Sequence, residues 1–411
     1  MPATVAGSGA EGGAAPPRAF TISRGQLIRT MIAVLLLAGL SAAAYRLHHT
    51  PGRGASASFS LLTGAALGII FQRGRFCFFC IFRDFIEQRN SGPLFAILTA
   101  LAAGSIGYAI IFGAFLPNPM SGRLPPDAHI GPVSWVLAAA GLAFGFGMTL
   151  SGACISGHLY RLGEGYMRAP VALLGALIGF GLGFFSWFTL YVQAISLAPV
   201  AWLPATLGYG GALLAQLVVL AGMGVLLLRW LPPLQAKAGG PLTLDRVWQA
   251  LFIDRWNPLV TGALVGLVGV FAYFRVEPLG VTAQLGSLSR TFLNDAGLLA
   301  DRLPGLDTFA GCATMVVQTI TDNGFLIGGL ALGSLAVALP ANRFNPSKLT
   351  LRNSVTALLG GILMGWGAML ALGCTVGTLL SGISAFALSG WVFGAAVFIG
   401  VWLSLKLRLQ S

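Results

Sequence analysis

The stretch GLAFGFGMTLSGACISG at residues 141–157 and the stretch GILMGWGAMLALGCTVG at residues 361–377 follow one pattern. At a constant shift of 220 positions, four glycines match four glycines and Cys154 matches Cys374. Each stretch is an apolar run that ends in a glycine-rich break, which is typical of a membrane helix that stops partway through the bilayer. A duplicated break with a cysteine at each copy indicates a transport site.

The composition identifies the solvent of this chain. Hydrophobic residues make up 56% of the 411 residues and charged residues only 9%, whereas soluble domains carry about 25% charged residues. The mean hydropathy is +0.83. We therefore expect an all-α polytopic membrane protein. The charge of +12 needs no nucleic-acid partner, because membrane topology and attraction to anionic lipid account for it.

Hydropathy predicts about ten spans, since a span needs about 20 apolar residues. They lie near residues 27–46, 58–76, 94–116, 133–152, 169–192, 211–231, 258–275, 325–340, 354–373 and 386–405. The alternation of spans puts 18 of the 24 Lys and Arg residues on the side of both termini, leaving Arg46, Arg53, Arg123, Arg275, Arg290 and Arg302 opposite. The positive-inside rule then makes both termini cytoplasmic.

This alternation inverts the two copies, because the span before Cys154 and the span before Cys374 run in opposite directions. A fainter pair matches Thr63 to Thr261 at a shift of 198, again on spans of opposite direction. Inverted repeats with broken or re-entrant helices are a recurring transporter plan. The expected division is a disordered tail (1–25), an extra N-terminal span (26–47), repeat A (58–192), a connector with one span (193–257), repeat B (258–405) and a short tail (406–411).

The chain has five cysteines, and a single buried cysteine is usually only a small hydrophobic side chain. Equivalent placement in both repeats favours a functional role for Cys154 and Cys374. Cys77 follows an apolar half-span and lies next to Arg75. Cys77 and Cys80 form a C-x-x-C pair, which would suit redox or zinc chemistry, although one such pair is weak evidence for a metal. Cys312 is interpreted as structural or free.

Three segments resemble the YeeE/YedE family of sulfur transporters: GRFC at 74–77, SGACISGHLYRLGEG at 151–165 and GCTVGTLLSGIS at 373–384. The resemblance covers roughly residues 58–405. It implies uptake of thiosulfate, or of a related sulfur or selenium compound, across a bacterial inner membrane. It also implies a route lined by three cysteines, which correspond to Cys77, Cys154 and Cys374, and a cytoplasmic TusA-like or rhodanese-like sulfur carrier as partner.

Physical chemistry gives a parallel reason for thiosulfate. The ion carries two charges, a soft terminal sulfur and hard oxygens, and a neutral thiol is a weak, polarisable donor to sulfur. Burial in apolar surroundings keeps a thiol neutral. Half-helix N-termini supply N–H groups for the oxygens. We expect a narrow path through the waist of an hourglass-like bundle, on which the ion passes between thiols.

Several polar and glycine positions are candidate supports of this path. Arg161 and Glu164 are interpreted in one of two ways. They form a helix-surface ion pair, or Arg161 receives the anion at the cytoplasmic mouth while Glu164 holds the arginine in place. Arg75 is interpreted as an interfacial anchor or as part of a positive vestibule. His158 is expected to be packed rather than to bind a metal. Ser381 is expected to satisfy backbone groups at the break. The glycines that flank the two breaks are Gly152, Gly157, Gly373 and Gly377.

Two other functions stay open at this level. The chain could import another sulfur or selenium species, or it could be a membrane sulfurtransferase or redox enzyme with Cys77 as nucleophile. The sequence contains no carboxylate pair, P-loop or Ser/His/Asp set. We therefore expect a transporter that is not an enzyme and that uses no cofactor or metal.

Overall fold

A computed structural model describes residues 24–232, 248–308 and 315–409. Within these ranges the chain is helical, and two isolated bridges are its only β pairing. Nine described helices are long and apolar enough to cross a membrane. The prediction of an all-α polytopic membrane protein is confirmed. Cys312 and most of the predicted N-terminal tail lie outside the described residues.

Fourteen helices of eight residues or more build the described part of the chain. They are α1 (Arg24–His48), α2 (Gly54–Gly74), α3 (Phe78–Gln88), α4 (Leu94–Phe115), α5 (Trp135–Ser151), α6 (Ile155–Leu162), α7 (Arg168–Leu190), α8 (Pro204–Leu227), α9 (Pro258–Arg275), α10 (Ala283–Asp295), α11 (Asp322–Ala338), α12 (Leu351–Leu370), α13 (Thr375–Ser384) and α14 (Leu388–Lys406). In α13, the first seven residues have π-helical geometry.

The ten predicted spans agree with these helices, with one difference in length. Nine of the spans fall on helices that are long enough to cross a membrane. The tenth falls on α11, which has 17 residues and would measure about 26 Å at 1.5 Å per residue. Thr321 is the N-cap residue of this helix, and its hydroxyl accepts a hydrogen bond from the Gly324 N–H at 3.2 Å. The helix therefore begins at Asp322 and does not extend toward the N-terminus.

Glycines let the long helices pack backbone to backbone, as small residues do in membrane bundles. A side chain at Gly64 or Gly68 would strike the backbone of Leu326 or Leu330, so α2 and α11 run in the same direction. The same reasoning makes three further pairs parallel: α4 with α9, α7 with α12, and α5 with α14. In contrast, α5 and α12 are antiparallel, because Gly147 meets Gly360 while Gly367 meets Ala140.

These directions agree with the alternation predicted from hydropathy. The two helices that precede the two breaks, α5 and α12, run in opposite directions and touch each other. We call the side on which α1 begins the N-terminal face. Arg29 in α1 donates a hydrogen bond to Asn342, just beyond the end of α11. Thus α2 and α11 end at the N-terminal face.

Four helices of 13 residues or fewer are much shorter than the roughly 30 Å apolar core of a bilayer. α3 has 11 residues and α6 has eight, and both follow spans that end at the N-terminal face. α10 has 13 residues, and α13 extends from Thr375 to Ser384. Both of these follow spans that end at the opposite face. The bundle therefore holds two pairs of short helices, one pair in each half.

Candidate functional site

Two buried cysteines face each other where two short helices begin. Cys77 is the N-cap residue of α3 and Cys154 is the N-cap residue of α6. Their Sγ atoms are 3.8 Å apart, and neither side chain is exposed. The N–H groups at a helix N-terminus and the helix dipole both favour an anion. The structure thus brings together two of the three cysteines that the sequence singles out, at a point suited to negative charge.

The backbone around these thiols explains the glycines near the first break. α5 ends at Gly152, whose φ of +85° is a left-handed conformation that glycine adopts without strain. Gly157 lies against both thiols: a Cβ there would come within 2.7 Å of Cys77 Sγ and 3.3 Å of Cys154 Sγ. The Gly157 N–H also donates to Cys154 Sγ at 3.3 Å. A side chain at residue 157 would therefore force the sulfur atoms to move.

Arg161 contacts Cys80, the third cysteine in the region of the first break. Its guanidinium donates to Cys80 Sγ at 3.3 Å and to the Gly152 carbonyl at 3.4 Å. It also lies over the ring of Tyr166, 5.3 Å from the centroid. Arg161 does not form the helix-surface ion pair with Glu164 that one interpretation expected. The arginine instead places a fixed positive charge beside the two facing thiols.

Glu164 lies in the loop after α6, at the N-terminal face. Gln72 donates to Glu164 Oε1 at 3.3 Å, and burial raises the pKa of this carboxyl group above its usual value. Arg75 is partly buried, and its φ of +52° ends α2 in a left-handed turn. Burial lowers the pKa of the nearby Arg255, and the positive charges of Arg75 and Arg343 lower it further. This end of the bundle is therefore rich in positive charge.

Cys374 lies in the other half of the bundle. It is the N-cap residue of α13, it is only 1% exposed, and it makes no contact with Cys77 or Cys154 among the described residues. Its thiol lies beside the backbone of Gly377 and beside the side chain of Thr282. The structure therefore does not bring the three cysteines together in one cluster.

Residues on both sides of Cys374 hold the second break in place. Gly373 leads into it, following Leu372, which has a left-handed φ of +55°. The Ser381 hydroxyl donates to the Leu279 carbonyl at 2.8 Å, so α13 is tied to the segment that follows α9. His158, near the first break, is completely buried and stacks on Tyr166 with a centroid distance of 6.0 Å.

A polar cavity of about 240 Å³ opens at the face opposite the N-terminal face. It is lined by Arg53, Asp127, His129, Val276, Glu277, Pro278, Gly280, Ala283, Asp322 and Asn323. Burial, together with the negative charge of Asp322, raises the pKa of Glu277 to about 7. Arg53 pairs with Asp322 at 2.7 Å. This cavity lies next to the loop that carries Thr282.

Sequence reasoning missed Thr282, Glu277 and Tyr166. Thr282 was missed because the search for paired sites followed cysteines. In addition, the shift in residue number that relates the two repeats differs between segments, so a single shift does not align Thr282 with Cys77. Glu277 lies in a connection between two predicted spans, a region for which hydropathy predicts no structure. Tyr166 contacts Arg161 and His158 only because the chain reverses after α6.

Comparison with known proteins gives consistent matches over most of the chain. A family described as sulphur transport matches residues 73–403. The thiosulfate transporter TsuA of Escherichia coli strain K12 is 29% identical over 83% of this chain and 92% of its own length. TsuA of Spirochaeta thermophila is also 29% identical, over 83% of this chain and 96% of its own length. A shorter match of 91 residues, 37% identical, relates the chain to the probable transporter YedE of E. coli.

Proposed function

The chain belongs to the sulphur transport family, and from this membership we propose that it imports thiosulfate along a path lined by Cys77, Cys154 and Cys374. The protein is a multi-pass membrane transporter for sulfur compounds and not an enzyme. We propose thiosulfate as the substrate because two relatives named thiosulfate transporter match this chain across 92% and 96% of their own lengths.

The observation that carries this proposal is the meeting of Cys77 and Cys154 at two helix N-termini, with a sulfur separation of 3.8 Å. Two neutral S–H groups can donate weakly to a soft sulfur atom. The helix ends supply positive potential for the oxygens. Weak contacts of this kind hold an ion and still release it, as conduction requires.

An inverted repeat accounts for the position of Cys374. Exchange of α2 with α9, α4 with α11, α5 with α12 and α7 with α14 converts each packed pair into another packed pair. The α2–α11 pair becomes α9–α4, and the α7–α12 pair becomes α14–α5; all of these pairs are in contact. Under this exchange Cys154 corresponds to Cys374, so one thiol serves each half of the path.

We place the N-terminal face in the cytoplasm of a bacterium, with both termini inside, because most Lys and Arg residues lie on that side. Thiosulfate would then enter at the opposite-face cavity and leave past Arg161, Arg75 and Glu164. A cytoplasmic TusA-like or rhodanese-like carrier would take the product. Anionic lipid would neutralise the remaining positive charge.

The deciding experiment is uptake of ³⁵S-thiosulfate into liposomes that contain only the purified protein. The wild type takes up intact thiosulfate, and Cys154→Ala removes most of this uptake while its abundance stays unchanged. Cys80→Ser is the matched control: Cys80 adjoins Cys77 and accepts a hydrogen bond from Arg161, but it is not one of the three proposed path cysteines, and serine keeps a polar group that can make both contacts. Uptake that persists in Cys154→Ala would contradict the cysteine path. Stronger competition by a selenium compound or sulfite than by thiosulfate would identify a different substrate.

A further inference from the structure

Thr282 occupies, in one half of the molecule, the place that Cys77 occupies in the other. Cys77 precedes α3, the short helix after α2, and Thr282 precedes α10, the short helix after α9. The Cys154 thiol lies beside the backbone of Phe78 and beside Cys77. The Cys374 thiol correspondingly lies beside the backbone of Val281 and beside Thr282. Each half therefore pairs the cap residue of one short helix with the cap cysteine of another.

The Thr282 hydroxyl has one neighbour within hydrogen-bonding reach, the Cys374 thiol. A threonine at an N-cap position normally accepts a hydrogen bond from the backbone of the first turn, but Thr282 makes no such bond. Its side chain is 1% exposed, and apart from the adjacent Cys374 thiol its Oγ1 makes no hydrogen bond within the described part of the chain. Thr375, directly after Cys374, is also buried, and its hydroxyl is unpartnered among the described residues. Most buried polar groups are hydrogen-bonded, so two buried hydroxyls beside one thiol, with so few partners, require an explanation, and a bound ion supplies one.

The surrounding residues fix this position and connect it to the outside of the bundle. Asn323 donates to the Gly280 carbonyl at 2.7 Å and accepts from the Gln284 N–H at 3.1 Å. These two bonds hold the loop on both sides of Thr282. Gly280 and Ala283 also line the opposite-face cavity. An ion in that cavity would therefore lie next to the segment that carries the Thr282 hydroxyl.

We propose that Thr282 and Cys374 form a second anion site in the half of the bundle away from the N-terminal face, in which the Thr282 hydroxyl binds an oxygen and the Cys374 thiol binds the terminal sulfur of the same ion. This inference rests on the proposed function. A hydroxyl is a stronger donor to hard oxygen than a thiol is. The site thus distinguishes an ion with one sulfur end and one oxygen end from sulfate, which has only oxygens.

The test compares the uptake kinetics of Thr282→Val with those of Thr282→Ser. Loss of a hydrogen bond to an anion weakens binding by about tenfold or more, so Thr282→Val raises the KM for thiosulfate about tenfold and leaves the maximal rate within threefold of wild type. Thr282→Ser keeps the hydroxyl and restores the KM to within threefold. Thr261→Val is the matched control: Thr261 is equally buried and its hydroxyl is unpartnered in the described part of the chain, but it packs against Gly74.

A KM that stays within twofold of wild type in Thr282→Val overturns the proposal, as does an equal effect of Thr261→Val. A purely structural role would change the amount of folded protein and its maximal rate rather than the KM alone.

A second measurement uses the wild type only. Thiosulfate slows the alkylation of Cys374 by N-ethylmaleimide, followed by mass spectrometry, whereas sulfate at the same concentration protects less. Absence of protection refutes the site even if Thr282→Val does not fold. If the wild type takes up no thiosulfate, the proposed function fails, and protection of Cys374 then decides alone whether the anion site exists.

Discussion

Replacement of Gly157 by alanine tests whether the geometry of the two facing thiols controls transport. The added Cβ would lie 2.7 Å from Cys77 Sγ and 3.3 Å from Cys154 Sγ. Ordinary contacts between carbon atoms are about 3.5–4.0 Å, so the Cys77 sulfur must retreat by about 1 Å. Overpacking of this kind costs about 1–3 kcal/mol. Alanine in place of a helical glycine returns about 0.5–1 kcal/mol, which leaves a small net loss of stability.

The effect on transport is expected to be larger than the effect on stability. An ion that must touch both thiols loses part of its contact when the sulfurs separate, and each 1.4 kcal/mol of lost binding is a factor of ten. We therefore expect ³⁵S-thiosulfate uptake by Gly157→Ala liposomes to fall about tenfold, with a melting temperature only a few degrees lower. Gly328→Ala in α11 is the control, since a Cβ there meets nothing within 4 Å. Uptake within twofold of wild type in Gly157→Ala would refute the role assigned to the thiol pair.

Three further predictions follow from the same contacts. Cys77→Ser reduces thiosulfate uptake strongly in the liposome assay, whereas Cys80→Ser keeps it within twofold because serine still accepts a bond from Arg161; equal loss in both would contradict the geometry. Arg161→Lys lowers uptake several-fold, since an ammonium group cannot donate to two partners in the fork geometry of arginine, and an unchanged rate would show that charge alone suffices. Glu277 has a pKa raised to about 7, so it is neutral below that pH and repels a dianion above it. Wild-type uptake therefore falls as the external pH rises from 6 to 8, and Glu277→Gln flattens this profile; a parallel fall in the variant would argue against the carboxyl group.

The spans and their directions were predictable because both depend on local composition. Each apolar run is long enough to be read in isolation, and the charges at its ends give its direction. The antiparallel contact of Gly147 with Gly360 follows from that alternation together with the tight packing of small residues. The shared pattern around Cys154 and Cys374 was visible because no insertion interrupts those 17 positions.

The partner of each cysteine could not be predicted, since it depends on how distant segments fold back. Cys77 and Cys154 are 77 positions apart, and their contact requires two helices to begin at one point. The correspondence of Cys77 with Thr282 is a shift of 205 positions, because 282 − 77 = 205, whereas α2 and α9 match at 198 and the breaks at 220. A gapless comparison cannot find a relation whose shift changes twice.

The contacts of the first span give information that hydropathy does not carry. The sequence predicts this span as an extra N-terminal helix and the span at 211–231 as part of a connector. In the structure, α1 packs against α2 and α11, and α8 packs against α4, the counterpart of α11. α8 and α4 are antiparallel, with Gly224 near Leu98 and Gln216 near Ser105. This arrangement supports α1 as the counterpart of α8, so that each repeat starts with one peripheral span.

The electrostatics of the two halves differ in a way that bears on the direction of transport. Each half offers two helix N-termini, and each terminus carries about half a positive charge, so either thiol site opposes only part of a dianion. Only the Cys77–Cys154 half adds the full charge of Arg161, which strengthens attraction toward the N-terminal face. If that face is cytoplasmic, a dianion still enters against a negative interior at a cost of about 4.6 kcal/mol per 100 mV, twice the value for one charge. At 100 mV, net entry would therefore stop once the internal concentration reached roughly one two-thousandth of the external one. Fixed charges along the proposed path cannot offset this cost of the membrane potential, because they do not change the free-energy difference between the two sides. Sustained uptake therefore requires either a cotransported cation or rapid chemical removal of the ion on the cytoplasmic side.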